Sequence, residues 1–529
     1  MQTSSVGPGS AGSKPIKGSG DRTPVIVGVA QSSRHLDVTQ LAGAPEPAHS
    51  TASIIAEAAA DSGGRGLLQR VTGLWIVDPI CWDYRDPTEP VIRRLGIDPP
   101  HRMRSGLGGE TPAVMVNRAA EAIARGDHEV VVIAGTEAMR TVKLATAHGV
   151  RLDWTRQSDD CAEPESLSAA SPFASADPVH PGERAVGLGL PIHYYPLFEN
   201  ALRRRYQLTI AEHTEKVSRL WSAFSEVAAG NPHSWRPTAL TPRQIADVTA
   251  SNRMICFPYP KLMNADMGVD MSAAIIVCSA DAARSAGVPR DRWVFPWAGA
   301  TCHDHWHVGN RDDLSVSPAI AANGRAVLGA AGLKINDIDH LDLYSCFPSA
   351  VQVAADALGS LGTGPPTVTG GFTFAGGPGN NYVSHALATM VGLLRVEPEA
   401  MGLVSGNGWF LTKHSLGLFA AQPPPASFRH FTPQHEVDAL PRVEVAESYR
   451  GPATLETYTV LSPGTASQGG KLAILSTGGG DEQAIAACRT PDCRRAWARS
   501  LDPAVLDALR TRELIDAPVQ VNGLEFTLD

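Results

Sequence analysis

Apolar residues in this chain recur in two alternating rhythms. Residues 24–30 (Pro-Val-Ile-Val-Gly-Val-Ala) form a nearly unbroken apolar run and predict a buried first strand. An alanine-rich helix is expected over 50–60 and a second strand over 71–78. From Thr111 to Arg125, Ala113, Val116, Ala120 and Ile123 keep helical spacing. The stretch 129–135 that follows is apolar on both faces, as strands of helix-covered parallel sheets are. Leu152 to Pro191 breaks the rhythm, helices resume over 194–206 and 210–229, and 251–267 reads as a prolyl loop. Residues 140–260 thus predict a large insertion over one face of the sheet, a position that commonly covers a site.

The second half repeats the plan. Strands are expected over 293–300, 340–344 and 400–405, and helices over 317–331, 347–358 and 383–394. Two glycine-rich stretches bracket the last of these helices: Gly370-Gly371 through Gly376-Gly377-Pro378-Gly379-Asn380-Asn381, and Ser405-Gly406-Asn407-Gly408. Clustered glycines mark sharp turns or close approaches of backbone, so both read as loops lining a pocket. Past the proline-rich linker at 422–426 the texture changes. Runs at 442–447, 453–461, 471–475 and 523–528 have strand character, with a helix near 503–512, enough for a small barrel of the oligonucleotide/oligosaccharide-binding (OB) type.

Composition narrows the class. The chain has 529 residues, 43% hydrophobic and 19% charged, with a net charge of −9. That is ordinary globular material without the basic stripes of a nucleic-acid binder. No apolar run is long enough for a membrane span. Residues 1–22, rich in Ser and Gly without an apolar core, read as a disordered tail. Eight scattered cysteines without a CxxC pair fit reduced thiols and a cytoplasmic setting. The glycine loops lack the Lys-Ser/Thr of a P-loop, and no GxSxG elbow is present.

The order of these pieces over roughly 24–425 resembles the thiolase superfamily, in particular the sterol-carrier-protein-thiolase-like branch. The resemblance rests on several pieces. Ala124-Arg-Gly126 leads into the 129–135 strand and Gly135-Thr-Glu137-Ala-Met, and Ser251-Asn-Arg is followed by Asp270-Met-Ser-Ala-Ala. Leu341-Asp-Leu-Tyr344-Ser-Cys346-Phe347 stands where such proteins carry His-Asp-Cys-Phe, and Gly376-Gly377-Pro378 where they carry Gly-His-Pro. Ser405-Gly-Asn-Gly stands in place of Cys-x-Gly.

The resemblance implies a duplicated five-layer α/β fold with a loop insertion and a C-terminal OB-like, β-barrel-like domain. The units would be a tail 1–22, a first half 23–290 containing the insertion 140–260, a second half 291–421 and a C-terminal domain 430–529. It further implies an acyltransferase (acetyl-CoA acetyltransferase) type protein of lipid metabolism, acting on acyl-CoA as substrate or ligand with no other cofactor, and a homodimer.

Four departures cut against ordinary chemistry. The nucleophilic cysteine maps to Gly109, which offers no nucleophile. The histidine that activates it maps to Gly377, the oxyanion histidine to Tyr344, and the acid/base cysteine to Ser405 or Gly406. A thiolase fold without the usual thiolase reaction is the expectation. A non-catalytic acyl-CoA-binding or scaffold subunit is the alternative.

The candidate catalytic residues are Cys346, His385, Glu110 and Tyr344. The candidate binding positions are Gly376, Gly377, Asn380, Asn381, Ser405 and Gly406, with Asn380 or Asn381 able to cap the next helix and expose its N–H groups. Each has a plainer reading: Cys346 as a small buried apolar group, His385 as a satisfied helix histidine, Glu110 as an acid at a helix N-terminus. Cys302-His303-Asp304-His305-Trp306-His307 holds zinc-type ligands, but its side chains alternate on an extended loop and no second ligand pair is evident, so no metal site is expected. Packing is the first reading for His193-Tyr194-Tyr195 and for His233 and Trp235 in the insertion.

Overall fold

The computed structural model describes residues 21–168, 176–360, 364–463 and 481–529. Most of the expected tail, and the strand expected over 471–475, lie outside them. Among the described residues one six-stranded sheet runs in the order Pro24–Ser33, Asp270–Ser279, Val130–Ala138, Gly73–Val77, His101–Arg104, Glu165–Ser166. A five-stranded sheet runs His340–Asp342, Met401–Gly408, Lys413–Ala420, Phe295–His303, Arg429–Phe431. Both mix parallel and antiparallel neighbours.

Two helices, Thr111–Arg125 and Tyr382–Val396, lie between the sheets and touch both. Pro47–Asp61 covers the outer face of the first sheet and Pro318–Ala331 that of the second. The result is the duplicated five-layer α/β arrangement. The middle layer explains a composition that helical spacing alone obscures. Thr111–Arg125 is buried on nearly every side, from Val114, Met115 and Val116 to Ala119 and Ile123. Its Asn117 Nδ2 donates to the Leu416 carbonyl of the second sheet at 2.9 Å, and Gly126 ends it in the left-handed conformation at φ 84°.

The C-terminal region closes on itself. Arg450–Leu461, Gln483–Arg489, Arg495–Ser500, Glu525–Leu528 and Pro518–Asn522 pair around a five-stranded barrel, because Arg450–Leu461 bonds both Gln483–Arg489 and Pro518–Asn522. The barrel has its own apolar core of Leu455, Tyr458, Ala486, Leu509 and Phe526. Full pairing leaves few free sheet edges, which stabilises a small β unit. Arg495, fully buried, fastens it to the body. Its guanidinium is gripped by Glu456 and also donates to the Gly309 carbonyl at 2.9 Å.

The inserted helices Pro191–Arg205 and Ile210–Gly230 pack over this junction, the second opened by a Thr209–Glu212 capping box.

Three local expectations change. The prolyl loop over 251–267 contains short strands, Met254–Phe257 and Tyr259–Pro260, and Phe257 pairs with Val460 of the barrel. Tyr259–Pro260 sits at the sheet edge, where a proline without an N–H costs no ladder bond. Residues 405–408 are not a loop: they finish the strand Met401–Gly408, which forms a hairpin with Lys413–Ala420. The run 442–447 is no strand beyond an isolated bridge from Val445 to Arg495.

Candidate functional site

The N-terminus of Thr111–Arg125 meets the Met401–Ala420 hairpin where Gly406 and Gly408 pass against Glu110. Glu110 stands at the N-terminus of Thr111–Arg125, and its carboxylate reaches Lys413 Nζ at 2.6 Å. Lys413 also donates to the Leu107 carbonyl at 3.0 Å. Glu110 is almost completely buried and Lys413 half-buried, and Glu110 Oε2 has no hydrogen-bond partner.

Glycines make room for it. A Cβ on Gly408 would collide with Glu110 Oε2 and lie 2.9 Å from Lys413 Cε, while one on Gly406 would lie 2.9 Å from Glu110 Cα. Those strand glycines therefore serve close approach rather than a turn. The turn itself, Trp409 to Leu411, holds two non-glycine residues at φ 57° and 50°. Tyr195 secures it, donating to the Trp409 carbonyl at 3.2 Å and accepting from Leu411 N at 3.3 Å and Asn407 Nδ2 at 2.8 Å. Strained backbone of this kind gathers at sites of function.

Above the pair opens a pocket of about 450 Å³. Leu107, Val114, Leu167, Trp306 and Trp409 give it apolar walls, and Glu110, Lys413 and Arg118 supply its charges. Cys302 and His303 form part of the rim with Gln434, which accepts from His303 N at 2.8 Å. Burial, and then the neighbouring Asp304 charge, pushes the Cys302 thiol up to about 12. Burial also pulls the His303 imidazole below its usual value.

The other members of that motif are engaged elsewhere: His305 with the Pro441 carbonyl, His307 with the Asp177 carbonyl, Asp304 with Ser317 and His414. Among the described residues no group of three or more acidic, His or Cys side chains is placed to hold a metal.

Behind Glu110 the space is full. A Cβ on Gly109 would collide with Tyr344 Oη and lie 2.6 Å from Tyr344 Cζ and 2.7 Å from the Asn407 carbonyl oxygen. A Cβ on Gly377 would fall 2.9 Å from Phe372 Cδ1 and 3.1 Å from the Asp266 carbonyl oxygen. Tyr344, Phe372 and Tyr382 form one aromatic cluster, with centroids 4.7 Å apart for Tyr344–Phe372 and 3.8 Å for the stacked Phe372–Tyr382. Burial raises the Tyr344 phenol well above its ordinary value, and the nearby Cys346 and Glu110 add to the rise, so it is a proton donor at neutral pH.

The remaining sequence candidates occupy distinct places. Cys346 lies buried beside Tyr195, its thiol pushed up to about 12 by burial although that neighbour pulls the other way. Ser405 accepts from Tyr344 N at 2.8 Å, and with Tyr344, Gly406, Asn407 and His414 borders a small cavity of about 10 Å³. His385 turns to Gln31, 3.1 Å away, and burial lowers its imidazole to about 3. Neither Asn380 nor Asn381 caps the next helix with its side chain. Asn380 instead accepts from Gly108 N at 2.9 Å and donates to the Asp78 carbonyl at 2.9 Å, while Asn381 donates to the Gly135 carbonyl at 2.8 Å. Gly376, at φ 109°, lets the chain pass against Met271 and Trp235.

Glu110 is thus the candidate that lines the open pocket, Tyr344 lies directly behind it, and the others sit deeper. Sequence reasoning missed Arg118 and Lys413. Arg118 had a signal, a lone guanidinium mid-way along a helix apolar on nearly all sides; Lys413 had none before the hairpin brought it opposite Glu110.

A monomeric sterol-carrier-protein-2-thiolase-like protein, type 1, from Mycobacterium smegmatis shares the architecture with a TM-score of 0.77 at 28% identity, over 96% of this chain and 100% of that one. The chain is a thiolase-like protein with an additional C-terminal domain. An Ltp2–ChsH2(DUF35) aldolase structure matches this thiolase-like fold with a TM-score of 0.56 at 20% identity, over 76% of this chain and 99% of that one, a likeness of fold alone. No family model and no curated protein matches. No helix among the described residues is long and apolar enough to cross a membrane.

Proposed function

We propose that this chain is an acyltransferase-type protein of lipid metabolism by descent, which binds an acyl-CoA thioester beside Glu110 and Lys413 and does not run the cysteine-based thiolase reaction. One observation carries the reading: the Tyr344 phenol occupies the space a side chain at Gly109 would need. Without a thiol there, no acyl-enzyme can form, and the aromatic cluster fills the place where an activating histidine would reach it.

Thioester binding is supported by the pocket. Lys413 presents an ammonium at its floor, suited to a polarised carbonyl oxygen, and apolar walls suit an acyl chain. Glu110 Oε2, buried and unpartnered, is placed to accept a proton or a donor from the ligand. The second reading, a non-catalytic acyl-CoA-binding or scaffold subunit, is favoured by the same filled interior. The proposal includes a cytosolic setting, supported by cysteines that are all free, and the division of the chain at 290 and 421–430. A homodimer, implied by the family resemblance, is checked by sedimentation equilibrium.

Calorimetric titration of the full chain with octanoyl-CoA tests the binding claim, with saturable heat expected. A kinetic assay with acetoacetyl-CoA and free CoA tests the chemistry, with no cleavage above the buffer rate expected. Turnover in the ordinary enzyme range, about 1 per second or faster, would refute the loss of thiolase chemistry. No heat with either octanoyl-CoA or acetyl-CoA would refute both acyl-CoA readings. Slow conversion of bound octanoyl-CoA would favour an enzyme over a scaffold.

A further inference from the structure

Arg118 is the feature of the pocket that the reading above leaves unused. Glu110, Thr111, Val114 and Arg118 line the same wall, all from the N-terminal end and one face of the helix Thr111–Arg125. Eight residues at 1.5 Å each separate Glu110 from Arg118, about 12 Å along the helix.

Arg118 is half-buried, and among the described residues no side chain or carbonyl makes a hydrogen bond or close ion pair with its guanidinium. Glu165 and Glu121 act on it only through space. Every other guanidinium or ammonium at the mouth is satisfied, Lys413 by Glu110 and the Leu107 carbonyl. A guanidinium cannot lose its charge in a protein, so a half-buried one that lines a pocket without a close partner is set up for an anion. Its planar fork matches a carboxylate with two parallel bonds. On that helix wall Val114 lies between Glu110 and Arg118, and Leu167 and Trp306 line the same pocket. The helix wall of the pocket therefore carries a charged group near each end, Glu110 with Lys413 at one and Arg118 at the other.

We infer that the pocket takes an acyl thioester whose chain ends in a second carboxylate, gripped by Arg118 while the thioester carbonyl faces Lys413; this rests on the acyl-thioester reading above. An extended chain advances about 3.6 Å for every three backbone bonds, or about 1.2 Å per bond. A span of about 10–12 Å then corresponds to a dicarboxylic acyl group of about eight carbons. A phosphate of the coenzyme is the other anion an arginine could hold. The apolar side chains of Val114, Leu167 and Trp306 in the same pocket favour the carboxylate-ended chain, and the experiment separates the two.

Four probes are titrated into the full chain: octanoyl-CoA, suberyl-CoA, octanoate and suberate. Suberyl-CoA is expected to bind at least tenfold more tightly than octanoyl-CoA, and suberate more tightly than octanoate. Arg118→Met, which keeps the apolar stem, is expected to erase both differences and leave octanoyl-CoA binding unchanged, while Arg118→Lys restores part of them. Melting curves of both variants report that they fold.

Equal affinity for the mono- and dicarboxylic ligands in the unaltered chain overturns the inference. So does an equal loss of octanoyl-CoA and suberyl-CoA binding in Arg118→Met, which would assign Arg118 to a coenzyme phosphate. Binding of suberate over octanoate through Arg118, with no binding of either CoA ester, would leave the dicarboxylate site standing and refute the thioester reading. No binding of any probe refutes both.

Discussion

Restoring a side chain at Gly109 is the perturbation whose outcome follows most directly from the geometry. A β-carbon there meets Tyr344 Cζ at 2.6 Å and the Asn407 carbonyl oxygen at 2.7 Å, besides colliding with Tyr344 Oη. Carbon contacts settle at about 3.5–4.0 Å, so something must move by about an ångström. Tyr344 has little freedom to do so, being 8% exposed and hemmed in by Phe372 and Tyr382. Overpacking of this kind costs about 1–3 kcal/mol, and Gly109→Ala and Gly109→Cys are expected near the upper end.

Tyr344→Ala alone costs about 3–5 kcal/mol, as large-to-small changes of buried aromatics do. It also empties the space beside residue 109. The double variant Gly109→Ala/Tyr344→Ala is therefore expected to be less destabilised than the sum of the singles, by about 1–2 kcal/mol, with the Asn407 contact keeping the relief partial. Urea unfolding followed by near-ultraviolet circular dichroism measures all three. Additivity to within about 0.5 kcal/mol would show that Tyr344 is not what fills the space at residue 109, and the reasoning would fail. Gly109→Cys is expected to gain no acetoacetyl-CoA cleavage, because residue 377 is glycine and Phe372 and the Asp266 carbonyl close the space a side chain there would need.

Other perturbations have equally definite outcomes. The His385 imidazole sits near 3 when folded because it is buried, below the value of about 6.5 in the unfolded chain, so the unfolded state takes up the proton first as pH falls. Its contribution to stability is complete above about pH 6.5 and shrinks by about 1.4 kcal/mol per unit below that, or about 2 kcal/mol by pH 5. His385→Gln should flatten that part of the curve in urea midpoints at pH 7.5 and 5, and an unchanged slope would contradict it. Lys413→Met strands the Glu110 carboxylate between two glycines and is expected to cost about 3–5 kcal/mol, whereas adding Glu110→Gln should recover much of it; thermal melts of the three variants check the order. Arg495→Met removes the guanidinium that joins Glu456 to the Gly309 carbonyl, and should cost a similar amount and split calorimetric unfolding into separate body and barrel steps.

Elements that carry their own periodicity were legible. The helix Thr111–Arg125 came from its spacing, and the helix Tyr382–Val396 and the strand Val130–Ala138 from their apolar runs, because burial on both sides writes long apolar stretches into the chain. The hairpin Met401–Ala420 was half hidden, since Gly406 and Gly408 look like turn residues. They are glycine because Glu110, some three hundred positions away, passes against them, and no local rule contains that fact. The strand Met254–Phe257 was missed for a related reason: its partner, Val460, belongs to a barrel two hundred residues downstream.

The sequence puts glycine at 109 and 377, the positions to which the resemblance maps the usual nucleophile and its base, and glycine carries no group to do their work. The chain order likewise determined a doubled α/β body followed by a small β unit. What fills the space beside Gly109 was decided only in three dimensions. Tyr344, Phe372 and Tyr382 come from a strand end, a short helix and a central helix, and they meet because the layers stack. The same stacking sets Lys413 against Glu110 and leaves Arg118 facing the pocket. A charge is worth little until its neighbours and its exposure are known, and both are properties of packing rather than of sequence.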